Sequence, residues 1–278
     1  FIFENMRKLL LIIAGISLIA SCKQGENENK KAEAKDAVLP YLQGTWVMTD
    51  YINELKSTGS PLQSSGKLTG IVSMTINKDV AENDSLPVPG SLNNHEGTSF
   101  NIILQQGANE HQLKTDLADN STGNYYEIGY DAGKDTSAVL IEYNKDHKEV
   151  GKHYFSKVTG PQTDDSEPYG LQYMANKILL AGLYNATDDA GKISTVEFTE
   201  DGLVKGVEGH KTYYIFTDFL GEGDGYKIDE LCFDEQTKSQ KPYIFQIKKD
   251  TVLLYQAKEN AERTKLEQGA LKYTLIKK

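Results

Sequence analysis

The chain has 278 residues and a formal net charge of −10, from 30 basic against 40 acidic side chains. This acidic balance argues against a nucleic-acid-binding protein, which would need a basic face. Two cysteines exclude a disulfide scaffold and a zinc cage built from cysteines. Hydrophobic residues make up 38% of the chain, which is enough for a folded core.

The first 21 residues have the pattern of a secretory signal peptide. Arg7 and Lys8 follow Met6, which we expect to be the natural start, and residues 9–20 form an apolar run. A run of this length is too short to span a bilayer as a helix but matches the apolar region of a signal peptide.

The apolar run ends in Leu-Ile-Ala-Ser21-Cys22, which resembles the lipobox of bacterial lipoproteins. The resemblance implies cleavage between Ser21 and Cys22 and lipidation of the Cys22 sulfur, including palmitate-like acyl chains. Several acyl chains anchor a protein far more firmly than one. We therefore expect an outer-membrane lipoprotein of the cell envelope that contacts the membrane through its anchor, with periplasmic and surface orientations both open.

The composition after Cys22 divides the chain into further segments. Residues 22–36 contain no large apolar side chain and are predicted to be a flexible tether. Residues 159–170 contain two prolines and two glycines, which predicts a linker between a β domain over 37–158 and a second over 171–278. Residues 138–145 resemble residues 251–258, and residues 152–158 resemble residues 272–277, which favours an internal duplication.

Alternating apolar and polar residues predict strands throughout both halves, and the fold class is all-β. In the first half the alternation is clearest over residues 72–76 and 126–130, whereas residues 78–98 form a polar insertion that predicts an open or irregular barrel. In the second half eight runs begin near Leu183, Ile193, Leu203, Tyr213, Tyr226, Pro242, Thr251 and Leu271. Helix is expected over residues 171–179, with another charged turn or two over residues 258–269.

Each half opens with a similar short motif: Gly44 and Trp46 in the first, Gly182 and Tyr184 in the second. Followed by about eight short strands, this pattern is similar to the lipocalin-like (calycin) barrels, and the whole chain resembles Bacteroidota envelope lipoproteins with compact domains of this kind. The resemblance implies two tandem antiparallel barrels with Trp46 and Tyr184 at their floors. One large fused barrel and a β-sandwich remain alternatives. The family also packs an arginine over the floor tryptophan, and here Arg263 is the one late arginine.

The densest aromatic stretch covers residues 213–220. Both faces of a strand there would be apolar, so Tyr213, Phe216 and Phe219 are candidate ligand-binding residues, and burial between the two halves is the alternative. Asp84-Ser85-Leu86 and Asp250-Thr251-Val252 resemble the Bacteroidota O-glycosylation motif, which makes Ser85 and Thr251 candidate acceptors. Cys232, beside Leu231 and Phe233, is expected to be a buried thiol.

No motif for catalysis, metal binding or a cofactor occurs, so no catalytic residue, metal or cofactor is predicted. The leading hypothesis is a non-enzymatic binding module for a small apolar ligand, a glycan or a partner protein. One alternative is a glycan hydrolase, which requires two carboxylates facing a cleft. The other is a structural or assembly accessory lipoprotein.

Overall fold

A computed structural model describes residues 36–133, 137–160, 170–219 and 227–278. The described part is mostly β-strand, as the alternation predicted. The predicted signal peptide, Cys22, the tether up to residue 35 and linker residues 161–169 lie outside it. Among the described residues, no helix combines the length and apolar character needed to cross a bilayer.

The strands and helices are numbered here in chain order. The strands are β1 (Gly44–Met48), β2 (Ile71–Ile76), β3 (Ser85–Leu92), β4 (Glu96–Gln106), β5 (Gln112–Asp119), β6 (Asn124–Asp131), β7 (Ser137–Tyr143), β8 (Glu149–Lys157), β9 (Gly182–Asp188), β10 (Ile193–Phe198), β11 (Val204–Lys205), β12 (Tyr213–Ile215), β13 (Glu230–Phe233), β14 (Lys241–Lys248), β15 (Thr251–Glu259) and β16 (Leu266–Lys277). The helices are α1 (residues 36–42), α2 (Thr49–Thr58), α3 (Pro61–Ser64) and α4 (Gly170–Leu179).

Strands β1 to β8 form a closed antiparallel barrel in which each strand neighbours the next along the chain, and β1 pairs with β8. The prediction that the insertion at residues 78–98 leaves this barrel open is therefore wrong, whereas irregular pairing does occur, with a register shift between Ile71 and Ser73 where β2 pairs with β3. The insertion supplies β3, where Leu86 and Val88 are buried while Pro87 and Pro89 are exposed. Because the prolines fall on the exposed positions of the alternation, they do not prevent the strand from joining the barrel.

Strands β9 to β16 form a second eight-stranded sheet, in the order β11-β10-β9-β16-β15-β14-β13-β12. Its terminal strands, β11 and β12, are joined by an isolated bridge between Leu203 and Thr212. Two backbone hydrogen bonds flank the bridge, from Val204 N to Lys211 O and from Tyr213 N to Gly202 O, both 2.8 Å. We call these contacts the β11–β12 seam.

Two local expectations for the second half are wrong. Residues 258–269 are not helical, because β15 continues to Glu259 and β16 begins at Leu266 after a turn with Arg263 at φ 52°. The aromatic stretch is not one long strand either, since β12 ends at Ile215. The helix expected over residues 171–179 is confirmed as α4.

The described chain forms two compact units that are interleaved along the sequence. Unit A contains residues 36–43, 77–87 and 100–152 of the described chain. Unit B contains residues 44–76 and 88–99 and the described residues from 153 onward. The division into β domains over 37–158 and 171–278 stays a prediction.

Asp234 anchors the turn that leads into β12 in unit B. Its carboxylate accepts hydrogen bonds from the backbone N–H groups of Lys211 and Thr212, at 3.0 and 3.1 Å, and lies 2.7 Å from His210 Nδ1. Burial acts to raise the pKa of Asp234, but the hydrogen bonds from Lys211, His210 and Thr212 prevail and lower it to about 2. The ionised carboxylate therefore stabilises the fold.

Substitution of Asp234 by asparagine is expected to lower the free energy of unfolding by about 1–3 kcal/mol at pH 7. Because the pKa falls from 3.8 to about 2 on folding, the contribution of the carboxylate is present above the unfolded value and is lost as the pH falls through about 2. Urea unfolding at pH 7 and pH 3 should show a smaller pH dependence for Asp234→Asn than for the parent chain. Asp79→Asn, in an exposed 3₁₀ turn, is the control; equal pH dependence in Asp234→Asn and the parent would contradict the assignment.

Candidate functional site

A polar cavity of about 250 Å³ lies within unit B. It is formed by β2 and β3, the turn between β3 and β4, the start of α4, and the segment that begins at β12. We call it the Ser73 cavity. Its lining includes the polar and aromatic side chains of Ser73, Ser91, His95, Glu96, Tyr214 and Thr217.

Strand pairing places two serine side chains in this cavity. Ser73 on β2 lies directly opposite Ser91 on β3. Ser73 occupies the face of β2 opposite to that of Met74, which pairs with Trp46. The cavity is therefore on the other face of the sheet from the predicted floor tryptophan.

The Ser73 hydroxyl is buried without a partner. Ser73 is 0% exposed, and its Oγ makes no hydrogen bond with any described residue. Burying an unpaired hydroxyl costs about 1–3 kcal/mol, so native folds rarely retain one without a reason. A buried hydroxyl that lines a polar cavity is available to a ligand.

The turn between β3 and β4 is held to the segment after β12 by two side-chain contacts. His95 Nδ1 lies 2.8 Å from Asp218 Oδ2. Asn94 Nδ2 donates to Thr217 O at 3.0 Å. The hydrogen bond and charge of Asp218 raise the pKa of His95, so mild acid makes this contact an ion pair. With Nδ1 held by Asp218, Nε2 is the nitrogen that His95 can offer to a ligand.

Helix α4 supplies the apolar part of the lining through Leu171, and Gln172 adds an amide. The helix begins at Gly170, where a Cβ atom would lie 2.6 Å from Thr45 Cγ2, so the close approach to β1 requires glycine. Farther along, Asn176 is buried and donates from Nδ2 to Glu200 O at 3.1 Å. These contacts fix the start of α4 beside Ser73.

The described residues of the cavity form neither a catalytic triad nor a pair of carboxylates. The contact of His95 with Asp218 resembles half of a catalytic triad, but the Ser73 hydroxyl is not hydrogen-bonded to the histidine. Among the described residues of the lining, Glu96 is the single carboxylate, whereas glycoside hydrolysis requires a pair. Within the described ranges, no group of three His, Cys, Asp or Glu side chains could hold a metal ion.

The predicted ligand-binding residues lie next to the cavity residues in sequence but not in the lining. Tyr213 is buried and donates from its hydroxyl to Thr199 O at 2.6 Å. Phe216 is half-buried, and Phe219 is buried. Tyr214 and Thr217, in the same stretch, are the residues that line the cavity. Ligand binding by Tyr213, Phe216 and Phe219 stays a prediction.

The candidate glycosylation sites both begin strands. Ser85 is the first residue of β3 and Thr251 the first of β15, and both are half-buried. Their modification stays a prediction. Cys232 is buried at 3% exposure, and burial raises the pKa of its thiol to about 11, as expected for an inert thiol.

The two predicted floor aromatics have the same surroundings. Trp46 and Tyr184 are buried, and a lysine nitrogen lies over each ring: Lys157 Nζ is 5.4 Å from the Trp46 ring centroid, and Lys277 Nζ is 6.0 Å from that of Tyr184. Each lysine is also the direct strand partner of its aromatic residue. Arg263 does not have this position; it lies in a turn with its Nε 3.8 Å from Glu259.

The sequence contains a signal for these two lysines. The match of residues 152–158 with residues 272–277 aligns Lys157 with Lys277. The glycines of the two motifs are explained by the same contact. Gly44 and Gly182 have φ values of 122° and 143°, and a Cβ at either would lie 2.9 Å from the lysine Cε.

Comparisons of the chain with protein-family models, with curated proteins and with solved structures find no match.

Proposed function

We propose that this chain is a lipid-anchored lipoprotein of the outer membrane, with two tandem lipocalin-like barrels, that binds a glycan without chemically altering it. The anchor, the barrels and the ligand have separate support. The anchor depends on the lipobox-like sequence ending at Cys22, because that segment lies outside the described residues.

The topology of the second sheet supports a second barrel. Strands β9, β10 and β11 are successive neighbours in this sheet, and so are β12 to β16. The β11–β12 seam connects the two runs. Strand β16 then pairs with β9, as β8 pairs with β1 in the first barrel. Both sheets therefore have an up-and-down order in which the last strand returns to the first.

The paired motifs support a common origin for the two barrels. In each, a helix precedes a glycine at positive φ, an aromatic residue follows two positions later, and the last strand provides a lysine over the ring. In both halves a lysine packs over the floor aromatic ring, the position that the family resemblance assigned to an arginine.

The unpartnered Ser73 hydroxyl in a polar cavity carries the proposal of a glycan ligand. The cavity offers hydroxyl, imidazole and carboxylate groups, which match the donors and acceptors of a hydroxyl-rich molecule. A small apolar ligand would leave these groups unpaired on binding. Leu171 and Tyr214 provide the limited apolar contact that one face of a sugar ring requires. At about 30 Å³ per water, the volume corresponds to about eight waters, the scale of one sugar unit.

A titration with glucose, galactose and N-acetylglucosamine tests this function. We expect at least one sugar to shift the His95 ring resonances in NMR spectra, with millimolar affinity. Ser73→Ala should weaken that binding about tenfold, the effect of one lost hydrogen bond. Without sugar, the same variant should be as stable as the parent or more stable, because it removes an unpaired hydroxyl. This opposite effect on binding and stability distinguishes a ligand contact from a structural one.

Ser194→Ala on β10 is the matched control and should leave the affinity unchanged. Absence of binding for all three sugars would overturn the glycan assignment. Equal affinities for Ser73→Ala and the parent would show that the sugar binds elsewhere.

A further inference from the structure

Unit A contains a second, larger pocket of different chemistry. Its volume is about 530 Å³, and its walls include Lys114, Tyr125, Tyr126, Glu127, Tyr143 and His147. We call it the Tyr125 pocket. It lies where the β5–β6 ladder is irregular between Lys114 and Ala118.

Three tyrosines and a histidine contribute aromatic rings to the wall, and two of the tyrosine hydroxyls already have hydrogen-bond partners. Tyr125 and Tyr143 are direct partners on β6 and β7, with stacked rings 5.5 Å apart. The Tyr125 hydroxyl lies 2.7 Å from His147 Nδ1, and the Tyr143 hydroxyl donates to Gln112 Oε1 at 3.1 Å. These two side chains therefore offer a ligand their π systems rather than free hydroxyl groups.

Glu127 places a carboxylate beside these rings. It is 5% exposed, and its Oε2 accepts a hydrogen bond from Ala108 N at 2.7 Å. The backbone at Gly107 packs closely against this carboxylate, since a Cβ there would approach within 2.7 Å of Glu127 Cδ. Oε2 is thus held in place, which leaves Oε1 as the oxygen for another partner.

The Glu127 carboxylate is buried without a matching charge. Lys114 is its direct partner across the ladder, yet no ion pair joins Glu127 to any described lysine, arginine or histidine. Buried carboxylates are normally paired, because removing an ion from water is costly. The negative charge of Glu127 acts on the neighbouring tyrosines. Burial is the largest cause that raises the pKa values of Tyr125 and Tyr143, and the charge of Glu127 is the second cause for both.

We propose that the Tyr125 pocket binds an organic ammonium ion, held by the Glu127 carboxylate and by the tyrosine rings. The cation supplies the charge that Glu127 lacks, and ring faces attract cations. An anion would be repelled by Glu127. A neutral hydroxyl-rich molecule would find fewer free hydrogen-bonding groups here than in the Ser73 cavity. The inference does not depend on the proposed glycan site, which lies in the other unit.

Choline and its uncharged isostere 3,3-dimethylbutan-1-ol provide a direct test, by calorimetric titration of the purified chain. We expect choline to bind with millimolar or better affinity and the alcohol at least tenfold more weakly, since they differ in charge and not in shape. Equal affinities would overturn the proposal, as would the absence of choline binding.

Three variants locate the site. Glu127→Gln should weaken choline binding at least tenfold, while the matched control Glu110→Gln, an exposed glutamate in the β4–β5 turn, should leave it unchanged. Lys114→Ala should strengthen binding, because it removes a like charge from the pocket. Lys114 is exposed, so this variant remains informative if Glu127→Gln fails to fold. Weaker binding by Lys114→Ala would contradict a cationic ligand.

Ser73→Ala separates this inference from the proposed function. It should bind choline as the parent does, whatever its affinity for sugars. Loss of choline binding in Ser73→Ala would contradict a separate site in unit A.

Discussion

Replacing Trp46 by alanine is expected to lower the free energy of unfolding by about 3–5 kcal/mol, the range for large buried aromatic side chains. Trp46 is fully buried on β1, the strand at which the first barrel closes, and its direct partners are Met74 and Lys157. The substitution would open a cavity beside both neighbouring strands. Denaturation followed by far-UV circular dichroism measures the loss; fluorescence is unsuitable because the chain has one tryptophan.

Trp46→Tyr is the informative control. Tyrosine occupies the corresponding position in the second motif, beneath Lys277 and with its hydroxyl donating to Leu180 O at 2.7 Å. We expect this variant to cost less than half as much as Trp46→Ala, because an aromatic ring still fills most of the space. A cost equal to that of Trp46→Ala would show that the two motifs are not physically equivalent.

Substitution of Cys22 by alanine is expected to release nearly all of the protein from the membrane fraction. Each buried CH₂ of an acyl chain contributes about 0.8 kcal/mol to membrane binding, so loss of the lipid weakens attachment by many orders of magnitude. Fractionation of cells combined with labelling by radioactive palmitate measures attachment and lipidation together. The variant should show neither.

Cys232→Ala should leave both measurements unchanged, because Cys232 is buried and its thiol has a raised pKa. Palmitate incorporation that persists in Cys22→Ala would contradict the lipobox interpretation. Labelled protein that fractionates away from the membrane would contradict the predicted role of the lipid as the anchor.

The fold was predictable where alternation was long and clear. Residues 72–76, 126–130 and 243–247 form strands as expected. Their burial is more continuous than the alternation predicted, since three consecutive residues are buried in each segment. Helix α2 was missed because its apolar signal, Tyr51, Ile52 and Leu55, spans little more than one turn. Strand β3 was missed because its prolines and polar flanks indicate a loop, whereas burial of Leu86 and Val88 decides its state.

The candidate sites were much less predictable. The Ser73 cavity combines β2, the β3–β4 turn, α4 and the segment from β12, and His95 meets Asp218 from 123 residues away. The spacing of residues in the sequence does not predict such a contact, because strand pairing and helix packing create it. The Tyr125 pocket is more local, but its essential property is a buried carboxylate that forms no ion pair with its exposed cross-strand partner Lys114, and the sequence does not show burial or ion pairing.

The β11–β12 seam has a consequence for how copies of this chain behave toward one another. A sheet edge exposes N–H and C=O groups that can recruit strands from other molecules, and long exposed edges lead to aggregation. Here the terminal strands have two and three residues, and the seam uses backbone groups at Gly202, Val204, Lys211 and Tyr213. The second sheet therefore offers a very short template for pairing with strands of other molecules, so the seam limits edge-to-edge association between copies of this chain.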